Sequence, residues 1–256
     1  MESAIDYHTA KAMLEWQVEF GVTETICDAP VNRFEVTPVP KKTATAPVAE
    51  VKPGIANKAL EVDCAELARS AAAGASDIET LRATLAGFEA CELKRGARNL
   101  VFCDGTAGAR VMVIGEAPGR EEDRIGRPFV GPAGELLDKM LGAIDLRRTE
   151  NVYITNVLPW RPPQNREPTP EEMAMMVPFL ERHVVLAKPD FLVLMGNIAC
   201  QAVLGKRGIS RMRGQWGEAM GLPVLPMFHP AYLLRDPNKK REAWADLLDL
   251  KARLRG

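Results

Sequence analysis

The chain has 256 residues, 46% of them hydrophobic, and a net charge of −1, enough for one sizeable core and a single catalytic domain with an appended segment. Its five cysteines, Cys27, Cys64, Cys91, Cys103 and Cys200, include no C-x-x-C pair; this fits neither a disulfide framework nor a ready-made metal site, and they read as reduced packing thiols. Glu2 and Asp6 stand where a signal peptide would carry positive charge, and no apolar run approaches the ~18 residues of a membrane helix, so a cytoplasmic monomer without membrane contact is expected.

The near-neutral total hides an asymmetry. Residues 1–90 hold 8 Lys/Arg against 14 Asp/Glu, a net −6, whereas residues 205–256 hold 11 against 5, a net +6. A basic C-terminal quarter suits contact with phosphates, or simply a solvated helix end.

In chain order, Ala10, Met13, Leu14, Val18 and Phe20 have helical spacing up to Gly21, which predicts a short helical segment within residues 1–35. Residues 36–57 are dominated by Pro, Ala, Thr, Val and Lys, too poor in large apolar groups to offset the entropy of ordering, and read as a flexible linker. The remaining domain, 58–256, opens with a helical lead-in over 58–90. Lys58–Ala73 is patterned as a helix, and Ser76-Asp-Ile-Glu79 as a capping box that starts a second one.

Beyond Leu100 the pattern changes to short β-branched runs, Arg110–Gly115, Val152–Asn156, Phe191–Met195 and Val224–Phe228. Helical stretches at 132–143, 170–187, 198–205 and 238–254 separate and follow them. This alternation predicts an α/β fold: a three-layer α/β/α sandwich around a four-stranded parallel sheet. Ligand sites in such sheets lie beyond the carboxyl ends of the strands, so the residues after each run carry the functional information.

After the first run stand Gly115-Glu116-Ala117-Pro118-Gly119-Arg120-Glu121-Glu122-Asp123 and Gly126-Arg127-Pro128-Phe129-Val130-Gly131-Pro132-Ala133-Gly134. So many glycines and prolines imply a tight loop whose backbone approaches a ligand closely. A nucleotide phosphate loop is disfavoured, because there is no G-x-x-x-x-G-K-[ST] or G-x-G-x-x-G pattern and four carboxylates would repel phosphates. After the second run come Thr155-Asn156 and then Trp160-Arg161-Pro162-Pro163-Gln164-Asn165-Arg166-Glu167-Pro168-Thr169-Pro170; an Asn there offers paired donor and acceptor groups for a pyrimidine edge, or else forms a turn. After the fourth run stand His229-Pro230-Ala231-Tyr232-Leu233-Leu234-Arg235.

Together, and in this order, these three loops resemble the motifs of family 4 uracil-DNA glycosylases over about residues 86–254. The resemblance implies a uracil-DNA glycosylase that flips uracil out of DNA and hydrolyses its N-glycosidic bond. On that footing Glu116 and His229 are the catalytic pair: His229 donates to uracil O2 as negative charge grows there, and Glu116 stabilises the sugar cation or orients water. Glu116, Ala117, Phe129, Asn156 and His229 bind the base, Phe129 by stacking and Asn156 by reading O4 and N3–H. Tyr232, Leu233 or Leu234 wedges into the stack, Arg235 meets a phosphate, and Arg161, Arg166, Arg211, Arg213 and Lys239 are further phosphate candidates.

Family members hold a four-iron cluster on four cysteines, and here those positions read Phe88, Cys91, Trp160 and Met176. One thiolate cannot hold such a cluster, so no metal and no cofactor are expected, with the replacements filling the volume as core. No histidine lies between Asn156 and His183, which disfavours the covalent DNA capture of a related branch. The alternatives are a non-catalytic damaged-DNA-binding module and a glycosylase for another deaminated base such as hypoxanthine; Glu116, Asn156 and His229 together argue against the first, and a pyrimidine-reading Asn156 against the second.

Overall fold

The computed structural model describes residues 56–255, with side chains from Cys64 onward. The expected N-terminal helix at 1–35 and nearly all of the expected linker at 36–57 lie outside the described residues. Helix α1 spans Ala56–Ala73, so its first turn begins inside the stretch read as linker. Helix α2 follows at Ile78–Ala86. Its N-cap is Asp77, whose carboxylate accepts from the Thr80 amide at 2.7 Å, rather than Ser76; the aspartate one residue later reaches the same orphan amides with a charged acceptor. A single turn, α3, covers Leu93–Gly96.

The sheet has six strands: β1 (Asp104–Gly105), β2 (Val111–Gly115), β3 (Val152–Asn156), β4 (Phe191–Met195), β5 (Gly217–Ala219) and β6 (Leu222–Met227), in the order β1-β3-β2-β4-β6-β5. The central four are parallel as expected, but β1 and β5 add an antiparallel strand at each edge. At two and three residues the edge strands are too short to show an alternating pattern, and for that reason the sequence suggests four.

Helices α4 (Arg120–Ile125), α5 (Pro132–Gly142), α6 (Pro170–Ala187), α7 (Gly196–Leu204), α8 (Ile209–Met212), α9 (Pro230–Arg235) and α10 (Lys240–Leu254) complete the layers. Val111, Val113, Val152, Ile154, Val193, Met195, Leu225 and Met227 face one way and pack with Leu137 and Leu141 of α5 and Leu247 and Leu250 of α10. Met112, Ile114, Tyr153, Leu192 and Leu194 face the other way, towards Leu180 and Val184 of α6 and Ala199 and Cys200 of α7. Strands buried on both faces read as continuous apolar runs, as these do. A third cluster joins α1, α2 and α6 through Ala68, Ala72, Leu81, Leu85, Phe88, Cys91, Trp160, Met176 and Phe179. No described helix is long and apolar enough to cross a membrane.

The second layer hides a polar pair. His183 of α6 lies buried, stacked on Phe102 at 4.4 Å between ring centres, with its Nε2 2.8 Å from the Tyr153 hydroxyl. Burial pushes its imidazole down to about 4 from an ordinary 6.5. In the unfolded chain this group binds a proton below pH 6.5, whereas the folded protein stays neutral until about pH 4, so unfolding takes up a proton in that window. Stability contributed by neutral His183 is therefore present above pH 6.5 and is lost as pH falls towards 4, by about 3 kcal/mol in total. Denaturant midpoints measured across this range should fall with acidity, and His183→Gln should flatten that fall.

Candidate active site

Four strand ends meet at one opening. The cavity there measures about 670 Å³ and is lined by residues that follow β2 (Glu116, Ala117), β3 (Asn156, Arg166, Glu167), β4 (Gly196, Asn197) and β6 (Phe228, His229, Tyr232, Arg235), with Phe129 from the loop before α5. Parallel strands all present their carboxyl ends on one edge of the sheet, which brings segments more than a hundred residues apart to one place.

The floor depends on a glycine. Gly115 is the register partner of Asn156 across β2 and β3, and a Cβ added at Gly115 would collide with Asn156 Oδ1 and with the Phe129 ring. Beyond the strand ends the ladder continues, with Val157 and Leu158 amides donating to the Gly115 and Glu116 carbonyls, each at 3.0 Å. Those bonds fix the backbone from which the Glu116 side chain projects. Asn156 is only 7% exposed and its Nδ2 is buried without a hydrogen-bond partner. A buried unpaired amide donor costs about 1–3 kcal/mol, which a ligand acceptor recovers.

Phe129 has a left-handed backbone, φ 53°, a conformation seldom adopted by bulky residues. Two groups hold it there. Arg148 donates from Nη2 to the Phe129 carbonyl at 2.8 Å and from Nη1 to the Pro128 carbonyl at 3.1 Å, and is itself paired with Asp104 and Asp138. On the other side, Glu122 accepts from the amides of Val130 and Gly131, both at 3.0 Å, and from Gly119 at 3.1 Å. The ring is thereby set beside His229, with centres 5.5 Å apart and planes 25° from parallel.

His229 caps α9: its Nδ1 accepts from the Ala231 amide at 3.1 Å. Burial pushes the imidazole down to about 4, helped by the charge of Arg235 and opposed by Glu122. At neutral pH the ring is therefore uncharged, and with Nδ1 accepting, Nε2 carries the proton and is a donor. The Glu116 carboxyl is raised, chiefly by burial and next by the charge of Glu167, with Arg207 acting the other way.

The remaining site candidates separate in this geometry. Ala117, Arg166, Tyr232 and Arg235 line the cavity with the residues above. Arg166 is engaged in two bonds with Glu172, at 2.8 and 2.6 Å, and Arg161 donates to Asn165 at 2.7 Å outside the lining. Arg211 is exposed on α8 and makes no ion pair among the described residues. Arg213 is engaged within the protein: its guanidinium pairs with Asp246 and donates to the Glu242 carbonyl. Lys239 is likewise paired, with Glu242 at 2.7 Å. Leu233 is 1% exposed in a core cluster with Phe228 and Ala243, whereas its neighbour Leu234 is 45% exposed.

Sequence reasoning missed Glu122, Asp123 and Arg148, which position the loop without being reactive themselves. Asp123 is buried and accepts from the Arg98 amide at 2.8 Å. It also missed that Thr169 and Glu172 form a reciprocal cap on α6, although Thr-x-x-Glu after Pro168 carries that signature. If Gly115 sets the floor, Gly115→Ala should displace Phe129 and Asn156 and lower the single-turnover rate of whatever reaction the site performs by about 100-fold, the scale of a 1 Å misplacement, with the far-ultraviolet circular dichroism unchanged.

Comparison with known proteins shows the family. The family described as the Uracil DNA glycosylase superfamily matches residues 102–248. The chain is 41% identical over 167 residues to the Type-4 uracil-DNA glycosylase of Archaeoglobus fulgidus, covering 61% of this chain and 82% of that protein. It is 44% identical over 150 residues to that of Thermotoga maritima, covering 57% and 78%. A Type-5 uracil-DNA glycosylase of Pyrobaculum aerophilum is 33% identical over 146 residues, covering 50% of this chain and 64% of that protein. With the three matching loops set at the ends of β2, β3 and β6, the chain belongs to the uracil-DNA glycosylase superfamily.

Proposed function

We propose that this protein is a monofunctional uracil-DNA glycosylase that acts as a monomer on uracil-containing DNA and leaves an abasic site. The observation that carries the reading is the buried, partnerless Asn156 amide in a cavity shared with Phe129, Glu116 and His229. Uracil O4 accepts from such a donor and its N3–H donates to the amide oxygen, while cytosine presents the inverse pattern and leaves buried groups unpaired. Phe129 stacks on the base.

Bond cleavage separates charge, so the site has two tasks. As the C1′–N1 bond breaks, the uracil ring gains negative charge that reaches O2, where the neutral His229 donates from Nε2. The sugar becomes cationic, and the Glu116 carboxylate stabilises it and orients the water that adds to C1′. The water's proton leaves to solvent or to the departing base. No lysine stands among the motif residues as an amine nucleophile, which supports hydrolysis without strand cleavage.

The iron–sulfur cluster of the family does not fit the residues present. Phe88, Cys91, Trp160 and Met176 pack together in one buried apolar cluster, and burial pushes the Cys91 thiol up, away from the thiolate that binds iron. We therefore propose a protein without the cluster, in which aromatic and thioether packing replaces it, and iron analysis of purified protein should find none.

Oligonucleotides carrying uracil, hypoxanthine or only normal bases, treated with the protein and then alkali, test the activity: scission with uracil alone is expected, and none with any substrate would sink the enzymatic reading. His229→Ala should lower single-turnover excision by about 100- to 1000-fold. Leu234 is the exposed candidate for the wedge, so Leu234→Ala should slow excision from duplex far more than from single strands. Leu233→Ala should instead destabilise the fold by about 2–5 kcal/mol.

A further inference from the structure

An ion pair on the rim of the cavity has no part in the chemistry above. Arg207, in the turn between α7 and α8, donates from Nη2 to Glu167 Oε2 at 2.9 Å and from Nε to Gln201 Oε1 at 2.5 Å. The pair joins two loops 40 residues apart in sequence. Glu167 lines the same cavity as Glu116, and Arg207 reaches it from the neighbouring turn. Both partners are well exposed, at 48% and 71%, so the bond contributes little to stability. What it does place is a pair of opposite charges at the rim of the cavity that also holds the half-buried Glu116 carboxylate.

We propose that Arg207 and Glu167 are positioning residues for excision, an ion pair through which the rim balances the charge felt by the Glu116 carboxylate. The inference rests on the reading of Glu116 as the group that must be ionised to steady the sugar cation. Burial already raises the Glu116 carboxyl; the Glu167 charge raises it further and the Arg207 charge lowers it. Other charged or titratable groups facing this cavity are Glu122 from α4, Arg166 from the loop before α6, and His229, Tyr232 and Arg235 from α9 and its N-cap. Glu122 is bonded to three loop amides and Arg166 to Glu172, so these two are anchored independently of the rim pair. Arg207 and Glu167 depend on each other, and removing one leaves the other's charge uncompensated.

That dependence separates an electrostatic role from a mechanical clasp. A clasp is broken equally by removal of either partner, whereas the two charges act on Glu116 with opposite sign. Single-turnover excision of uracil should be followed against pH for the full chain, for Arg207→Gln, for Glu167→Gln, for the double variant and for Glu116→Gln. With Glu116 required as the anion, the acid limb of the profile should move to higher pH in Arg207→Gln and to lower pH in Glu167→Gln, and return close to its original position in the double variant. Limbs that stay in place in either single variant, or that move in the same direction in both, overturn the inference. Glu116→Gln distinguishes its failure from that of the reading beneath it. If that variant excises uracil with the acid limb unchanged, the limb does not belong to Glu116 and the underlying reading falls; if the limb disappears with the carboxylate but does not respond oppositely to the rim variants, only the rim proposal falls.

Discussion

At Gly115 two side chains, the Phe129 ring and the Asn156 amide, occupy space that any Cβ would fill. Phe129 comes from a loop after β2 and Asn156 from the end of β3, and they meet because Gly115 and Asn156 are neighbours in parallel register. The consequence extends around the cavity. Phe129 set at this depth stacks on His229, and His229 packs against Gly196, which has φ 90° and a site for Cβ only 3.2 Å from the His229 Cβ. A stacking face, an amide edge and a hydrogen-bond donor thus share one floor because two strand ends carry no side chain.

Holding that floor open requires the loop around Phe129 to keep an unfavourable backbone, which costs about 1–3 kcal/mol and persists only when its surroundings over-determine it. Charge-assisted bonds provide this. Glu122 satisfies three amides on one side and Arg148 two carbonyls on the other. The acidic run Glu116, Glu121, Glu122, Asp123 consequently has four separate environments. Glu116 faces the cavity, Glu121 pairs with Arg124 on the surface, Glu122 binds the Phe129 loop, and Asp123 binds the Arg98 amide. The other three carboxylates are thus committed to bonds within the protein.

This division explains what the sequence reveals and what it conceals. The four parallel strands were legible because strands buried on both faces must be largely apolar, and Phe191–Met195 carries that signature throughout and Val152–Ile154 up to the polar strand end. The site was legible at Glu116, Phe129, Asn156 and His229 because three loops follow strand ends and resemble one family. Arg148 was not, since one of two adjacent arginines in a loop gives no pattern that says which carbonyls it will reach. The choice between Leu233 and Leu234 was also hidden: adjacent leucines on a six-residue helix have no periodicity long enough to reveal which one faces the core. Arg213 has the same chemistry as Arg211, and only the position of Asp246 on α10 separates them.

The wall beyond Asn156 is anchored by a different kind of force. Leu158 and Trp160 leave β3 into a buried cluster shared with α1, α2 and α6, and the Val101 amide donates to the Pro159 carbonyl at 2.9 Å. The chain then returns to the rim, where Pro162, Asn165, Arg166 and Glu167 line the cavity. Burying side chains of this size is worth about 1.5–3 kcal/mol each, so the helices before residue 102 help fix a loop that belongs to the site. The superfamily match begins at residue 102, yet the packing of Trp160 and Met176 depends on Phe88, Leu81 and Leu85, which precede it. Apolar packing thus sets where the chain re-enters the cavity on this side, as Glu122 and Arg148 do on the other. Between these two anchors Asn156 is able to keep an unpaired donor.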